Sequence, residues 1–405
     1  MMKFIYSIGI YFYGIAISIA SLFNSKARLL RNGQYQALVL LKEKIVPGSR
    51  YVWFHAASLG EFEQGRPVIE QLKKEKPGTK ILLTFFSPSG YEVRKDYAGA
   101  DIVSYLPLDT PSAASSFVKL VKPSKAIFIK YEFWPNYLMA LQSAKVPVYS
   151  ISAIFRPTQI FFKWYGGWYL NLLKSFRHIF VQDQSSLELL AKHGFSKITV
   201  AGDTRFDRVY DLCQQAKELP LIESFVQGKQ VIVAGSTWPK DEELLVRYLN
   251  LHPDVKLILV PHEIHEAHIL EISKLLDGRF VRYSEAAEAN LTDASCLVVD
   301  TIGILSSIYR YANVAYIGGG FGVGIHNTLE AAVWSVSVVF GPNYHRFREA
   351  RKLIAVGGAF SVSNYVLLET QLNRLLKDTY AGKMAGEYVK SNTGATRLIL
   401  KKIAR

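Results

Sequence analysis

Apolar residues along this chain alternate between two patterns. Short runs rich in Val, Ile, Phe and Tyr are separated by stretches whose apolar positions recur every three to four residues, the spacing of an amphipathic helix. The runs lie at 51–55, 80–86, 102–106, 125–130, 146–151, 178–182 and 197–201. Helical spacing fills the gaps at 62–75, 89–97, 111–121, 134–144, 158–176 and 184–193. Between Asp211 and Gly228 the regularity lapses, and it restarts with runs at 230–235, 256–261, 279–284, 296–300, 313–319, 336–341 and 358–362. Strands alternating with helices imply mainly parallel sheets covered on both faces. The chain therefore reads as two α/β halves joined near residues 205–230, with a helical tail from about Val366 that Gly394 divides.

One segment departs from both patterns. Phe4 to Phe23 is a run of 20 residues without a charge, long enough at ~1.5 Å per residue to cover a ~30 Å hydrocarbon core. Lys26, Arg28 and Arg31 follow it and Lys3 precedes it, a bias that puts the C-terminal flank in the cytoplasm. Ser18-Ile19-Ala20 has the small residues of a signal cleavage site, but the run exceeds the usual ~7–15-residue signal core. The expectation is an uncleaved anchor that spans the bilayer or lies in its interface. Phe155 to Phe176 adds eight aromatics with Arg156, Lys163 and Lys174 among them. Such a stretch either dips into the headgroup region or packs in a core.

Composition narrows the picture. A chain of 405 residues is too long for one ordinary core and suggests two domains. With 49% hydrophobic and 20% charged residues it is globular. Cys213 and Cys296 are the only cysteines and sit in no motif, so no disulfide framework or structural zinc site is indicated. The net charge of +14 is concentrated at the ends: residues 1–50 carry seven Lys/Arg against Glu43, and residues 381–405 carry six against Glu387. Basic ends on a nearly neutral body point to an anionic membrane surface rather than to nucleic acid.

Candidate chemistry gathers where strands end. YVWFHAASLGEFEQGRP, 51–67, is a strand that breaks at Ala56-Ala57-Ser58, turns at Gly60 and starts a helix with Glu61. That βα unit presents a carboxylate at the strand C-terminus, where open sheets bind ligands; the alternative is a helix-dipole partner. KYEFWPNYL puts Glu132 between a strand and a Pro135-initiated helix, and GDTRFDR puts Arg205 after the last strand of the first half. Together they suit acid/base work and anion binding, though each could form an ordinary salt bridge.

In the second half, NVAYIGGGFGVGIHNTLEAAVWSVSVVFGP, 313–342, runs from a strand through Gly318-Gly319-Gly320 to His326-Asn327 and a helix opening with Thr328 and Glu330. Glycines allow close backbone approach, and the N–H groups of a helix start suit a phosphate. No GxGxxG of the dinucleotide enzymes or Walker A sequence occurs, so a nucleotide-sugar site fits best. AGSTWPKDEELL, 234–245, and VDTIGIL, 299–305, supply two more loops at strand ends. PHEIHEAH holds His262, His265 and His268, but Glu266 stands where the zincin pattern needs the second histidine. A polar contact from His262 to nucleotide is preferred to a metal.

These stretches, in this order, resemble the 3-deoxy-D-manno-octulosonic acid (Kdo) transferases of lipopolysaccharide synthesis: HAASLGE (55–61), YEFWPN (131–136), SAIFRP (152–157), GDTRFD (202–207), AGSTWPKDEE (234–243), DTIGIL (300–305) and GGGFGVGIHNTLEAA (318–332). The resemblance implies a GT-B fold of two Rossmann-like domains facing a cleft. Residues 1–30 would be the membrane anchor, 31–215 the acceptor domain and 216–385 the CMP-sugar domain. Residues 386–405 would form a basic helix returning to the first domain.

It further implies CMP-Kdo as donor, a tetraacylated lipid A precursor as acceptor at the cytoplasmic face of the inner membrane, and inversion without a metal or other cofactor. Glu61 falls at the general base, and Glu132 and Arg205 at positions that stabilise the transition state. Pro261, His262, Ile302, Gly303, Ile304, Asn327, Thr328, Leu329 and Glu330 fall at contacts to CMP. The family often has Arg where His262 stands, Glu where Ile304 stands and Lys where Arg205 stands. The competing readings are a GT-B transferase using a UDP-sugar on a lipid acceptor, and a membrane-tethered nucleotide-sugar binding protein without turnover.

Overall fold

The computed structural model describes residues 2–287 and 290–403. By its packing the chain forms two units, Met1–Asp207 with Gly394–Arg405, and Arg208–Thr393.

The first unit is built on seven strands: β1 (Tyr51–Ala56), β2 (Lys80–Phe85), β3 (Ile102–Tyr105), β4 (Lys125–Ile129), β5 (Val148–Ala153), β6 (His178–Val181) and β7 (Ile198–Val200). They form one parallel sheet in the order β3-β2-β1-β4-β5-β6-β7. β1 and β4 are buried along nearly their whole length, which is why they read as unbroken apolar runs rather than as alternation. The strand order reverses between β1 and β4, and a ligand crevice opens beyond the strand C-termini at such a switch point. Glu61 follows β1 and Glu132 follows β4.

The second unit repeats this plan with β8 (Gln230–Thr237), β9 (Val255–Pro261), β10 (Phe280–Arg282), β11 (Cys296–Val298), β12 (Val314–Ile317), β13 (Ser337–Phe340) and β14 (Ala359–Ser361). The parallel order is β10-β11-β9-β8-β12-β13-β14. Its switch point lies between β8 and β12, with Ser236 in the last turn of one and Gly318 after the other.

The C-terminal helix Ala395–Ile403 belongs to the first unit. Ile399, Leu400 and Ile403 join a buried cluster with Phe54, Phe62 and Val68. Asp207 caps that helix by accepting from Thr396 N at 2.6 Å.

Three segments depart from the pattern read in the sequence. The helix expected over 158–176 is broken: a short 3-10 turn, Ile160–Phe162, is followed by a helix only over Gly167–Leu173. Gly166 lies so close to the Ile160 carbonyl that no side chain fits, so the chain turns there. The aromatics of this segment divide accordingly: Phe155, Phe161 and Phe176 are core, while Trp164 is 94% exposed. A helix not read in the sequence spans Ser25–Lys44, burying Gln34, Ala37 and Leu41. The interval around 211–228, read as irregular, contains the helices Arg205–Gln215 and Pro220–Val226.

Residues Met2–Ala20 form one helix, long and apolar enough to cross a membrane. Its polarity is inverted relative to an ordinary surface helix. The ridge turned to the protein carries Ser7, Ile10 and, in the turn beyond the helix, Ser21, all buried, whereas Phe4, Phe12, Ile15 and Ile19 are each more than half exposed. Polar contacts bolt it down: Tyr6 OH donates to Asp109 Oδ2 at 2.8 Å and Ser7 Oγ to Asn136 Oδ1 at 3.3 Å. Asp109 also accepts from the backbone of Asn136 and Tyr137 at 3.1 and 2.9 Å, capping the helix Pro135–Ser143.

Candidate active site

Glu61 is the third residue of the helix Leu59–Glu75 and is buried. Its Oε2 accepts from Ala57 N at 2.7 Å, so the broken strand end grips the carboxylate that follows it. Burial pushes its pKa up, against the Ala57 N–H and the charge of Lys130, which pull it down. Glu132 is pushed up to about 8, first by burial and then by the charge of Glu61, with Trp134 and Lys130 opposing. The switch point thus brings the two sequence-predicted carboxylates into one electrostatic unit. Burial and the charge of Glu61 favour the protonated form of Glu132, while the Ala57 N–H and Lys130 favour the ionised form of Glu61.

Arg205 reaches the same place indirectly. Its Nε and Nη2 donate to Asp203 Oδ2 at 3.0 and 2.8 Å, and Gln64 Nε2 donates to the same oxygen at 3.1 Å. Thr204 Oγ1 donates to the Gln64 carbonyl. Gln64 is one turn beyond Glu61, so this network fixes the cation beside the helix that carries Glu61.

Several groups here escaped the sequence reading. Lys130 acts on both carboxylates and sits at φ 60°, a left-handed conformation that a β-carbon makes costly. Its peptide is held by Ile151 O, 2.8 Å from Lys130 N, and by Ser150 Oγ, which donates to Lys130 O at 3.0 Å. The chain is thereby turned off β4 toward Glu132. Strain of this kind gathers at functional sites.

His55, buried on β1, accepts from Trp134 Nε1 at 3.2 Å through Nε2, which leaves Nδ1 protonated toward Thr84. Burial drives this imidazole down to about 3, so it stays neutral and positions Trp134. The same indole N–H is within hydrogen-bonding reach of Glu132.

Raised carboxyl pKa values have a consequence for stability. A group that binds its proton more tightly folded than unfolded makes stability fall as pH rises from the ordinary glutamate value through the folded one. For Glu132 that window ends at about 8. Glu132→Gln is therefore expected to be more stable than wild type at pH 8, by about 1–2 kcal/mol after allowance for its partial exposure. The gain should vanish below pH 4. Urea unfolding at pH 4, 6 and 8 reads it, and a variant less stable at pH 8 would mean that the two carboxyls do not share charge.

In the second unit, the loops after β8, β9 and β12 converge. Trp238 stacks on His262 with ring centres 4.8 Å apart, and His262 lies 4.7 Å from His326. Trp238 Nε1 points to His326 Nε2 at 3.4 Å, and burial with the neighbouring His262 lowers the His326 pKa. The result is a ring platform at the switch point, of which only His262 was singled out from sequence. His265 and His268 turn elsewhere, to Glu263 and Glu242 at 3.4 and 3.1 Å. Among the described residues no cluster of three metal-ligating side chains occurs.

The glycine-rich loop owes its composition first to its own packing. A Cβ on Gly318 would lie 2.5 Å from Thr237 Cα, and one on Gly320 2.5 Å from Gly341 N. Asp241, in the first turn of the helix Pro239–Leu251, is buried and accepts from Tyr316 OH, Gly319 N and Trp238 N at 2.7, 2.8 and 3.0 Å. Glu242 likewise accepts from Thr237 Oγ1 and engages His268.

Of the predicted donor contacts, Ile302 is 85% exposed and Gly303 lies in a turn at φ 97°, with Ile304 opening the next short helix. Pro261 ends β9. Asn327 donates to Glu330 at 2.9 Å and accepts from Leu329 N at 3.1 Å, so that helix-start N–H is already engaged. Leu329 is wholly buried and offers its backbone alone. The hydroxyl of Thr328 is buried without a protein partner.

Two parallel-sheet domains with these switch points define a GT-B-like α/β fold. The chain superposes on UDP-GlcNAc 2-epimerase from Neisseria meningitidis with TM-score 0.60, 15% identity and coverage of 87% of this chain and 99% of that one. Against MurG from Acinetobacter baumannii the TM-score is 0.56, with 14% identity and coverage of 88% and 99%. Residues 28–208 match the family model for 3-deoxy-D-manno-octulosonic-acid transferase (kdotransferase). The 3-deoxy-D-manno-octulosonic acid transferase of Aquifex aeolicus is 31% identical over 83% of this chain and 88% of its own length. That of Haemophilus influenzae is 27% identical over 87% and 86%. The chain belongs to the Kdo transferase family.

Proposed function

We propose that the protein transfers Kdo from CMP-Kdo to a tetraacylated lipid A precursor, inverting the anomeric centre, with Glu61 as general base. The observation that carries this reading is the Glu61–Glu132 pair at the first switch point. A sugar hydroxyl has a pKa far above 7 and needs a base within hydrogen-bond reach as it attacks. Glu61 can serve because Ala57 N–H holds one of its oxygens and Glu132 stores the proton that would otherwise add a second charge. The acceptor proton passes to Glu61 as the new C–O bond forms and the bond to the CMP phosphate breaks. Arg205, held by Asp203, supplies positive charge to the developing negative charge. On the donor side the Trp238–His262–His326 platform suits a nucleobase, and the loop from Asn327 to Glu330 suits ribose and phosphate.

No metal is part of the proposal. Incubating the protein with CMP-Kdo and the lipid precursor, and finding the mass increase of Kdo, tests the function directly. Thermal protection by UDP but not by CMP would instead select the UDP-sugar reading.

Membrane attachment follows from the inverted N-terminal helix. Tyr6 and Ser7 are bonded to Asp109 and Asn136 near one end, and Ile10 and Ser21 are buried further along, which supports a helix lying along the membrane rather than across it. Lys26, Arg28 and Arg31 beside it suit the anionic cytoplasmic surface of the inner membrane. Replacing Phe4, Phe12 and Phe23 together with Glu is expected to reduce co-sedimentation with anionic vesicles by ~10-fold or more at unchanged thermal stability. Undiminished sedimentation would overturn the attachment.

A further inference from the structure

The N-terminal helix does more than cover the protein. Tyr11, Gly14, Ile15, Ser18, Ile19 and Leu22 line a shallow groove of about 550 Å³, closed on its other side by Leu108 and Thr110. Their spacing puts them on one strip of about 16 Å along the helix. The volume lies within the ~300–1,000 Å³ of small-molecule sites.

We propose that this groove holds an acyl chain of the lipid acceptor, a subsite that rests on the acceptor being a lipid, as proposed above. Its lining is mostly hydrocarbon; the hydroxyl of Ser18 is spent on Gly14 O at 2.9 Å and that of Thr110 accepts from Ala113 N at 3.2 Å, so the strip offers little to a peptide or a sugar. Glycine at position 14 keeps the floor open, since a Cβ there would lie 2.7 Å from Leu108 Cδ2. Ile15, Ile19 and Leu22 are 55%, 57% and 67% exposed along it. An aliphatic chain would cover them, at roughly 25 cal/mol per Å² of apolar surface removed from water.

Two features say which amphiphile fits. At the Leu22 end, Arg28 donates to Ser21 O and Leu22 O at 3.1 and 3.4 Å, with Lys26 and Arg31 close in sequence, so positive charge meets an anionic headgroup. From the same helix, rings lead to the catalytic pair. Tyr13 stacks on Phe86 at 6.3 Å, Phe86 stacks on Trp134 at 4.8 Å, and Trp134 reaches Glu132. Leu108, Phe86 and Trp134 lie in the loops after β3, β2 and β4, along one edge of the sheet. Leu108, which closes the groove, thus shares with Phe86 and Trp134 the edge of the sheet that carries Glu61 and Glu132.

Ser18→Phe and Ile15→Trp fill the groove without touching the bolts at Tyr6 and Ser7. Transfer should be measured with full-length protein in detergent, using the tetraacylated acceptor and the same acceptor stripped of its chains. The expected result is a ~10-fold or larger fall, about 1.4 kcal/mol, in the ratio of kcat/KM for the acylated over the stripped acceptor. An unchanged ratio in both variants, with the fold retained by thermal unfolding, overturns the subsite. A phosphatidic acid carrying a diazirine in its chain gives an independent reading. Photolabelling is expected at Leu108 and Thr110 and should be lost in Ser18→Phe; labelling that avoids both residues counts against the groove. If wild type labels there yet transfers no Kdo, the groove stands and the proposed reaction fails.

Discussion

Glu61→Gln is expected to lower Kdo transfer by at least ~10², the lower range of what a positioned general base contributes, while leaving CMP-Kdo binding and the fold intact. Gln keeps the size of the side chain and its carbonyl oxygen, so the bond from Ala57 N at 2.7 Å can persist. What disappears is the charge and the ability to take a proton. Removing that charge also removes the second cause of the raised Glu132 pKa, so Glu132 should titrate lower in the variant. Carbon-13 chemical shifts of the Glu carboxyls would show that fall. Near-normal turnover in the variant would remove Glu61 from the mechanism. Lost turnover with an unmoved Glu132 titration would mean that the two carboxyls act separately.

The pH profile of the wild type follows from the same pair. With Glu61 as the proposed base, activity is expected to decline on acidification through its raised pKa. If transfer also needs Glu132 neutral, activity declines again above about 8, giving a bell.

Much of this arrangement was legible in the sequence because parallel strands buried on both faces leave continuous apolar runs. β1, β2, β4, β8 and β9 were recognisable that way, and the motifs carrying Glu61 and Glu132 stood directly after such runs, whereas Arg205 follows the short, half-buried β7. The helix Ser25–Lys44 was not, because it buries only the narrow ridge of Gln34, Ala37 and Leu41 while Leu29, Tyr35 and Val39 stay exposed, so its apolar positions mark no single face. The break at Gly166 was hidden by aromatic spacing that imitates a helix. Contacts between distant positions were beyond reach: nothing local marks Lys130 as the partner of Glu61, or His55 as the residue that orients Trp134 79 positions away.

The acidic residues of AGSTWPKDEE show why type and position alone mislead. Asp241 and Glu242 open the helix Pro239–Leu251, where a carboxylate has two uses, as partner of the helix dipole or as ligand for a nucleotide. Burial decides for a third: each is 1% exposed and bonded to its own protein. Substitution should then act on stability before it acts on binding.

Asp241→Ala is accordingly expected to destabilise the second unit by about 3–5 kcal/mol, because it leaves the donors of Tyr316, Gly319 and Trp238 without their acceptor in a buried setting. Asp241→Asn, which keeps one carbonyl oxygen but turns an amide N–H toward donors, should fall between Ala and wild type. The Gly319 bond ties down the loop in which Gly324 N donates to Gly319 O at 2.9 Å and His326 N to Gly318 O at 3.2 Å. Freed of it, His326 loses its register against Trp238 and His262, so nucleotide affinity should drop along with stability. Denaturant unfolding followed by tryptophan fluorescence measures the first effect, and calorimetric titration with CMP the second. A destabilisation under ~1 kcal/mol, the net worth of one ordinary hydrogen bond, would show that Asp241 does not hold this loop. Full stability with lost CMP affinity would instead make Asp241 a ligand.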